Sequence, residues 1–375
     1  VVAAFELRLK ALELAQNMGA TPKALEGVGQ QTSNEAARWA FQQWALRQAA
    51  KVKFSRAAEM LFVREALEQA SHERMAAYHA SQYPRDTLVA DLTAGIGSDL
   101  IGLAGRGPVK GLELDEERAF CARWNARVHG HEVGVQVADS TTDEASHWPY
   151  VWLDPARRVG GRRSVQVEDF SPDPRLFLET DAPRSRLGIK LSPLMSDSIL
   201  EGLGNRLEFV SFGRECREAI AWSGSEVDSG RFAVHVETGA KLAAHEGWQT
   251  VDRPGDWILE VDPAVVRSHA TGAFGYPKLG DSFSYLTTDD VAIASVWYRS
   301  FFVLWSGTGD LKHTNRALAD LDASTPVVKS SGMKIDADAY RRKFVRKGSR
   351  EVALLVYPVG RSLRHVLVDY NLSET

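Results

Sequence analysis

The sequence predicts an α/β protein: a parallel sheet covered on both faces, preceded by a helical segment and followed by a separate α+β module. Three observations lead there. Thr87-Leu-Val-Ala-Asp-Leu-Thr-Ala-Gly-Ile-Gly-Ser-Asp99 runs from a short apolar strand through a glycine turn into the start of a helix. Short apolar strands then recur at helix-length intervals, the alternation of a doubly wound sheet. Outside that stretch, before about Pro84 and after about Trp248, the alternation is absent.

A chain of 375 residues is too long for one ordinary core, and we expect domains at 1–84 (helical), 85–250 (the sheet) and 251–375 (α+β). Two cysteines, Cys121 and Cys216, argue against a disulfide scaffold, exclude a Cys-rich zinc site and fit a reducing compartment. With no apolar run long enough to span a bilayer, a cytoplasmic location, no membrane and no resident metal are expected. The formal net charge of -4 speaks against a protein whose whole surface binds nucleic acid, while leaving room for a local basic face.

In order along the chain, Phe5 to Leu14 reads as a helix, and Gly19 and Pro22 mark a break. Thr32 with Glu35 has capping-box spacing before a helix over Ala36 to Ala50, and Ser55 to Ala80 forms one or two more. Trp39 and Trp44 are expected to close a small helical core, the alternative being a surface for a partner. After the first strand, Val109 to Leu114, Val133 to Val137, Val151 to Leu153, Leu187 to Leu191, Leu207 to Ser211 and Arg231 to Val236 read as strands, with a helix over Glu116 to Val128. Cys216 to Trp222 suits a strand or a short helix. Asp252, Pro254 and Gly255 mark a boundary. Beyond it, Trp257 to Val261 reads as a strand and Asp262-Pro263 as a helix start. Lys329 to Lys334, Asp338 to Lys347 and Glu351 to Val359 follow as strand, helix and strand.

The chemistry is carried by acids at successive strand ends. Asp91 precedes the glycine turn, Gly111-Leu-Glu-Leu-Asp115 closes the second strand, and the third leads to Asp139. Acids in this order describe a nucleoside site at the carboxyl edge of a parallel sheet. Glu113 suits both ribose hydroxyls, and Asp139 suits an adenine amino group. Gly95 and Gly97 allow close backbone approach. Asp91 and Asp99, flanking those glycines, would repel the pyrophosphate of NAD but suit a ligand carrying an ammonium and a sulfonium. That chemistry favours S-adenosylmethionine.

The series Asp91-Leu-Thr-Ala-Gly-Ile-Gly-Ser-Asp99, Gly111-Leu-Glu-Leu-Asp115, Asp139 and Leu153-Asp-Pro-Ala-Arg-Arg158 resembles the class I S-adenosylmethionine-dependent methyltransferases. More narrowly, it is similar to the bacterial group in which a Rossmann-like methyltransferase domain is followed by a THUMP-like domain. The resemblance implies that the turn, with Gly95 and Gly97, meets the methionine part, that Glu113 holds the ribose, and that Asp139 lies on the adenine side; Thr93 and Asp115 are further cofactor-binding candidates. It implies RNA as the partner, and no obligate protein partner is inferred.

The fourth strand ends Asp154-Pro155-Ala156-Arg157-Arg158, on the edge facing the transferred methyl in the class I arrangement. Enzymes of this fold that methylate amines carry Asn or Asp, then Pro-Pro and an aromatic; Ala156 and Arg157 depart from that. Asp154 is the residue to orient a nucleophile or accept its proton, with Pro155, Arg157 and Lys190 as the other catalytic candidates. Arg158, Arg162 and Arg163, with Ser192, suit a phosphate or carboxylate on the substrate. The alternative for the arginines is a solvated loop or pairing with Glu168 and Asp169, and for Lys190 an internal ion pair. Cys216, in Gly213-Arg-Glu-Cys-Arg-Glu218, lacks the context of a uridine-methylating nucleophile. Basic residues gather again at Arg341, Arg342, Lys343, Arg346, Lys347, Arg350, Arg361 and Arg364. The expectation is methyl transfer to RNA. The competing readings are a small-molecule methyltransferase and a binding module that has lost catalysis.

Overall fold

The computed structural model describes residues 2–142, 147–156, 158–159, 162–178, 184–245, 247–291 and 294–370. Two compact units result: 1–191 with 195–204 and 222–227, and 192–194 with 205–221 and 228–375. Among the described residues no helix is long and apolar enough to cross a membrane.

The first unit opens with five helices, α1 (Val2–Leu14), α2 (Pro22–Gln31), α3 (Asn34–Ala50), α4 (Arg64–Gln69) and α5 (Glu73–Ser81). Their apolar residues, Ala11, Ala40, Phe41 and Leu46 among them, form one core with Met60 and Leu61 of the segment between α3 and α4; in it Trp39 is buried and Trp44 packs at the edge. The tryptophans thus close a helical core. Two details depart from the sequence expectation. Pro22 starts α2, its missing N–H being no loss in a first turn. The cap of α3 is Ser33, whose hydroxyl accepts from the Ala36 amide at 3.0 Å, while the Thr32 hydroxyl donates backwards to Val28 O.

A five-stranded parallel sheet follows: β1 (Val89–Asp91), β2 (Val109–Glu113), β3 (Gly134–Val137), β4 (Tyr150–Leu153) and, after the short β5 (Arg158–Val159) and β6 (Arg162–Arg163), β7 (Arg186–Leu191). The spatial order is β7-β4-β1-β2-β3, so the chain steps outward from β1 on one side and then returns to build the other. The order reverses between β1 and β4, and the crevice at the carboxyl ends of these strands is where open α/β sheets bind ligands. Helices α6 (Ser98–Ala104) and α7 (Glu116–Val128) connect the first three strands, and α8 (Asp197–Glu201) follows β7. The central strands β1, β4 and β7 are buried almost throughout because both faces are covered, while the edge strand β3 buries only Val135.

Two contacts set the glycine turn against the helices. A Cβ on Gly102 would lie 2.7 Å from Ala76 O, so only glycine lets α5 and α6 approach this closely. The buried Asn125 of α7 exchanges hydrogen bonds with the Leu61 backbone and donates to Ile96 O at 2.9 Å. Three such bonds, each worth about 1 kcal/mol net, pin the turn to the helical layer.

The second unit carries β8 (Arg206–Phe212), β9 (Glu215–Ser223), β10 (Gly230–His235) and β11 (Ala240–Ala243), in the order β11-β10-β8-β9. The segment Cys216 to Trp222 is therefore strand. An eight-stranded sheet follows, built from β12 (Thr250–Val251), β13 (Trp257–Val261), β14 (Lys278–Leu279), β15 (Tyr285–Thr288), β16 (Tyr298–Thr308), β17 (Val327–Ser330), β18 (Val352–Val359) and β19 (Ser362–Asp369). Its order is β12-β14-β15-β13-β16-β19-β18-β17, with α9 (Pro263–Arg267), α10 (Leu311–Asp320) and α11 (Ala337–Arg341) beside it. Phe301, Leu355, Tyr357 and Val366 fill one core, and Leu318, Phe344, Leu354 and Leu367 another. The strand expected over Lys329 to Lys334 is Val327–Ser330, ending where Gly332 takes φ +81°. The helix expected over Asp338 to Lys347 shortens to α11 and one 3-10 turn, Arg342–Phe344.

Candidate functional site

At the carboxyl ends of β1 to β4, within the first unit, lies a cavity of about 300 Å³. Its walls include Thr93, Gly95, Asp99, Glu113, Asp139 and Asp154, with residues of α4, Gln69 among them, and the Ser140-Thr141 turn. That volume sits at the low end of the range for small-ligand sites.

Glycine geometry shapes the turn. Gly95 and Gly97 have φ +55° and +91°, the left-handed region that side chains disfavour. A Cβ on Gly97 would also meet Ala122 Cα of α7 at 3.0 Å. Glu113 braces the turn: its Oε2 accepts from the Gly95 amide at 2.8 Å and its Oε1 from the Asp115 amide at 3.0 Å. Asp115 caps α7, accepting from the Arg118 amide at 2.8 Å, and does not line the cavity. Asp139 accepts from both the amide and the hydroxyl of Thr141, which together hold its carboxyl below the usual range.

A buried polar chain leads from the helices to the end of β4. His79 Nδ1 lies 2.7 Å from Asp99 Oδ1, and the Ser71 hydroxyl donates to Asp99 Oδ2 at 2.9 Å. Lys190 Nζ donates to Ser71 Oγ at 2.9 Å and to Asp154 Oδ2 at 2.7 Å. The Asp154 amide donates to Thr93 Oγ1 at 2.6 Å, which fixes the backbone at the strand end. His79 also stacks on Trp152, with centroids 4.4 Å apart.

The two acids flanking the turn fare differently. Burial pushes Asp91 well above the carboxylate range, reinforced by the charge of Asp99; its Oδ1 accepts from the Thr93 amide, and Oδ2 has no partner among the described residues. Burial also opposes charge on Asp99, yet His79, Lys190 and Ser71 outweigh it and hold Asp99 below its ordinary value. Of the pair, burial disfavours charge on Asp91, while its polar partners favour charge on Asp99. Only Asp99 lines the cavity.

The structure thus brings Thr93, Gly95, Asp99, Glu113, Asp139 and Asp154 to one cavity. Asp91, Gly97, Pro155 and Lys190 support it without lining it. Arg157 lies outside the described residues, as do the side chains of Arg158, Arg162 and Arg163, whose backbones pair across β5 and β6. Among the described residues Glu168 pairs with Arg175 at 3.0 Å, and Asp169 accepts from the Ser164 hydroxyl at 2.6 Å. Ser192 belongs to the second unit, where its hydroxyl accepts from the Leu194 amide. Sequence reasoning passed over Ser71 and His79. The available signal was a histidine on the buried face formed by Met75, Ala76 and Ala80.

The donor set fits a cationic nucleoside ligand. Among the described residues four carboxylates, Asp99, Glu113, Asp139 and Asp154, line the cavity against one lining cation, Arg118, with His79 and Lys190 engaging Asp99 and Asp154 from behind; an acidic wall of this kind favours ammonium and sulfonium over pyrophosphate.

No family model matches the chain. Two curated proteins, from Mycobacterium tuberculosis strains CDC 1551 and H37Rv, are each described as an uncharacterized S-adenosylmethionine-dependent methyltransferase. Each is 30% identical over 319 residues, covering 82% of this chain and 87% of the relative. A solved structure of a candidate methyltransferase from Porphyromonas gingivalis W83 superposes with a TM-score of 0.74 at 18% identity, over 98% of this chain and 97% of that one.

Proposed function

This chain belongs to the S-adenosylmethionine-dependent methyltransferases, and we propose that the acceptor of its methyl group is RNA. The observation that carries methyl transfer is the acid-lined cavity at the reversal of the parallel sheet, with Asp154 in its wall, and the RNA acceptor rests on the arginine-bearing hairpin beside it. When bound, S-adenosylmethionine supplies a methyl group activated by attachment to a sulfonium. Glu113 would hold the ribose hydroxyls, its carboxylate already oriented by two backbone amides. Asp139 would accept from the adenine amino group, and the charged Asp99 would face the ammonium. The glycine turn contributes closeness of approach, because the Gly95 amide is engaged by Glu113.

Asp154 has one oxygen held by Lys190; among the described residues the other, Oδ1, has no partner. It would orient the attacking group in line with the leaving sulfur and accept its proton. Lys190, anchored on Ser71, positions Asp154 for that task.

The RNA acceptor is supported by the β5–β6 hairpin, which starts four residues after Asp154 and carries Arg158, Arg162 and Arg163. The family resemblance and the basic residues from Arg341 to Arg364 support a THUMP-like role for the α+β module in holding the RNA. Two free thiols suit the cytoplasm as the site of action.

The test is calorimetric titration with S-adenosylmethionine and, in parallel, NAD, followed by transfer of labelled methyl to unmodified RNA. Saturable S-adenosylmethionine binding, lost in Glu113→Ala, with label appearing in RNA is the expected result. Binding without label in any RNA would overturn the RNA acceptor and favour a small-molecule substrate. Absence of binding would overturn the cofactor site itself.

A further inference from the structure

The second unit holds a larger cavity, about 1190 Å³, lined entirely by its own residues. Five cations, Arg214, Arg267, Arg299, Lys329 and Lys334, face into it against two carboxylates, Glu215 and Glu260. Both carboxylates have partners: Glu260 is 2.5 Å from Lys329 Nζ, and Glu215 is 2.8 Å from Arg217, which does not line the cavity. Arg267 spends its Nε on Pro193 O and stacks over Phe209.

Arg214, Arg299 and Lys334 remain. Among the described residues none of the three lies within ion-pair distance of a carboxylate; Lys334 is exposed, whereas both arginines are half-buried. Burial first, and then the charge of Arg299, pull Arg214 below its ordinary value, against the smaller opposing charges of Asp262 and Glu260, so the two guanidinium groups repel one another. Like charges held together on one wall describe a site that a shared anion would complete.

The backbone adds a second argument. Gly213 and Arg214 form the two-residue turn between β8 and β9 with φ +60° and +61°. A turn with both central residues at positive φ favours Asn-Gly or Gly-Gly. Arginine there is strained, and its guanidinium is directed into the cavity in place of an easier turn residue. Phe283, 65% exposed, lines the same cavity and offers a ring on which a base can stack.

We propose that this cavity binds a ribonucleotide unit, its phosphate between Arg214 and Arg299 and its base against Phe283. The proposal deepens the RNA reading and rests on it for the choice of ribonucleotide. The phosphate could come from a free nucleotide or from a strand, and the test separates the two.

The full chain is titrated with AMP, adenosine and a single-stranded oligoribonucleotide, and then compared with Arg214→Asn, Arg299→Gln and Arg217→Gln. Asparagine tolerates the left-handed turn, so Arg214→Asn removes the guanidinium without a new backbone cost. S-adenosylmethionine affinity reports that the fold and the first site are intact. The expected result is AMP affinity falling about tenfold or more in Arg214→Asn and Arg299→Gln, and by less in Arg217→Gln, which only leaves Glu215 without its partner, with adenosine binding far weaker than AMP. An oligonucleotide bound more tightly than AMP, and lost in the same variants, identifies a strand; AMP bound as tightly identifies a free nucleotide. Equal binding of AMP and adenosine, unchanged AMP affinity in Arg214→Asn, or no saturable binding of either phosphate ligand would overturn the proposal. If the site holds AMP while no RNA accepts methyl, the RNA reading fails and this site stands; if RNA is methylated equally by Arg214→Asn and the variant binds AMP normally, the reverse holds.

Discussion

Lys190→Met tests the buried chain linking Asp99 to Asp154. The substitution keeps an unbranched chain and removes the ammonium. Lys190 and Asp154 side chains are 7% and 21% exposed, so the pair is substantially desolvated. Removing one member of a buried pair costs about 3–5 kcal/mol; with Asp154 retaining some water, about 2–3 kcal/mol is expected. At about 2–4 °C per kcal/mol, the unfolding midpoint of the first unit falls by roughly 4–12 °C. The pH dependence carries a sign. Asp99 has its folded pKa depressed with Lys190 among the causes, so it contributes stability present above its unfolded pKa and lost as pH falls through the folded one. Without Lys190 that contribution shrinks, and the deficit of the variant is largest near neutrality and narrows below about pH 4, where carboxylates protonate in the unfolded chain. Thermal unfolding followed by near-ultraviolet circular dichroism across this range measures both. A midpoint within about 1 °C of the parent at neutral pH, or a deficit that grows on acidification, would refute the reasoning.

Three further outcomes follow from the geometry. Gly97→Ala incurs the left-handed penalty of about 1–2 kcal/mol plus a contact at 3.0 Å with the α7 backbone. Gly95→Ala incurs only the former, its nearest atom being 3.9 Å away, so thermal unfolding and S-adenosylmethionine titration should rank Gly97→Ala as the more damaged. His365, buried between the Thr314 and Tyr340 hydroxyls, is pushed down to about 4 by burial. Its contribution is complete above the unfolded value of about 6.5 and falls by about 3 kcal/mol as pH drops to about 4; denaturant titrations should show this slope, flattened in His365→Gln. Burial pushes the Cys216 thiol up to about 12, so Cys216→Ser should leave methyl transfer unchanged; a loss beyond about tenfold would restore a nucleophilic role.

The parallel sheet was legible because its strands are short, apolar and separated by lengths that only a crossover helix fills. The glycine turn was legible from Gly95 and Gly97 beside acids. Strands β2, β4 and β7 lie within a residue of their expected bounds, since burial on both faces leaves a continuous apolar run. Other parts depended on partners distant in sequence. Ser71 and His79 meet Asp99 only because Gly102 admits α5 against α6, a packing event that no local pattern encodes. β19 was hidden because Arg361 and Arg364 drew attention as charge, while Val366, Leu367 and Val368 beside them are wholly buried. Helix α10 escaped because only Thr314, Ala317 and Leu318 face inward along it, a stripe too narrow to stand out.

The Asn125 side chain has a consequence for how the protein is born. Its partner Leu61 leaves the ribosome 64 residues earlier, an interval of several seconds at about 5–20 residues per second. In the later part of that interval, once Ser81 has emerged, the helices from α1 to α5 are complete, yet Cys121, which packs into their shared core from α7, is still unmade or inside the exit tunnel. The nascent chain must therefore carry a sticky, unfinished helical cluster until α7 arrives. Codon changes or tunnel-stalling that lengthen the wait before Asn125 emerges would raise aggregation without altering a single residue of the mature fold.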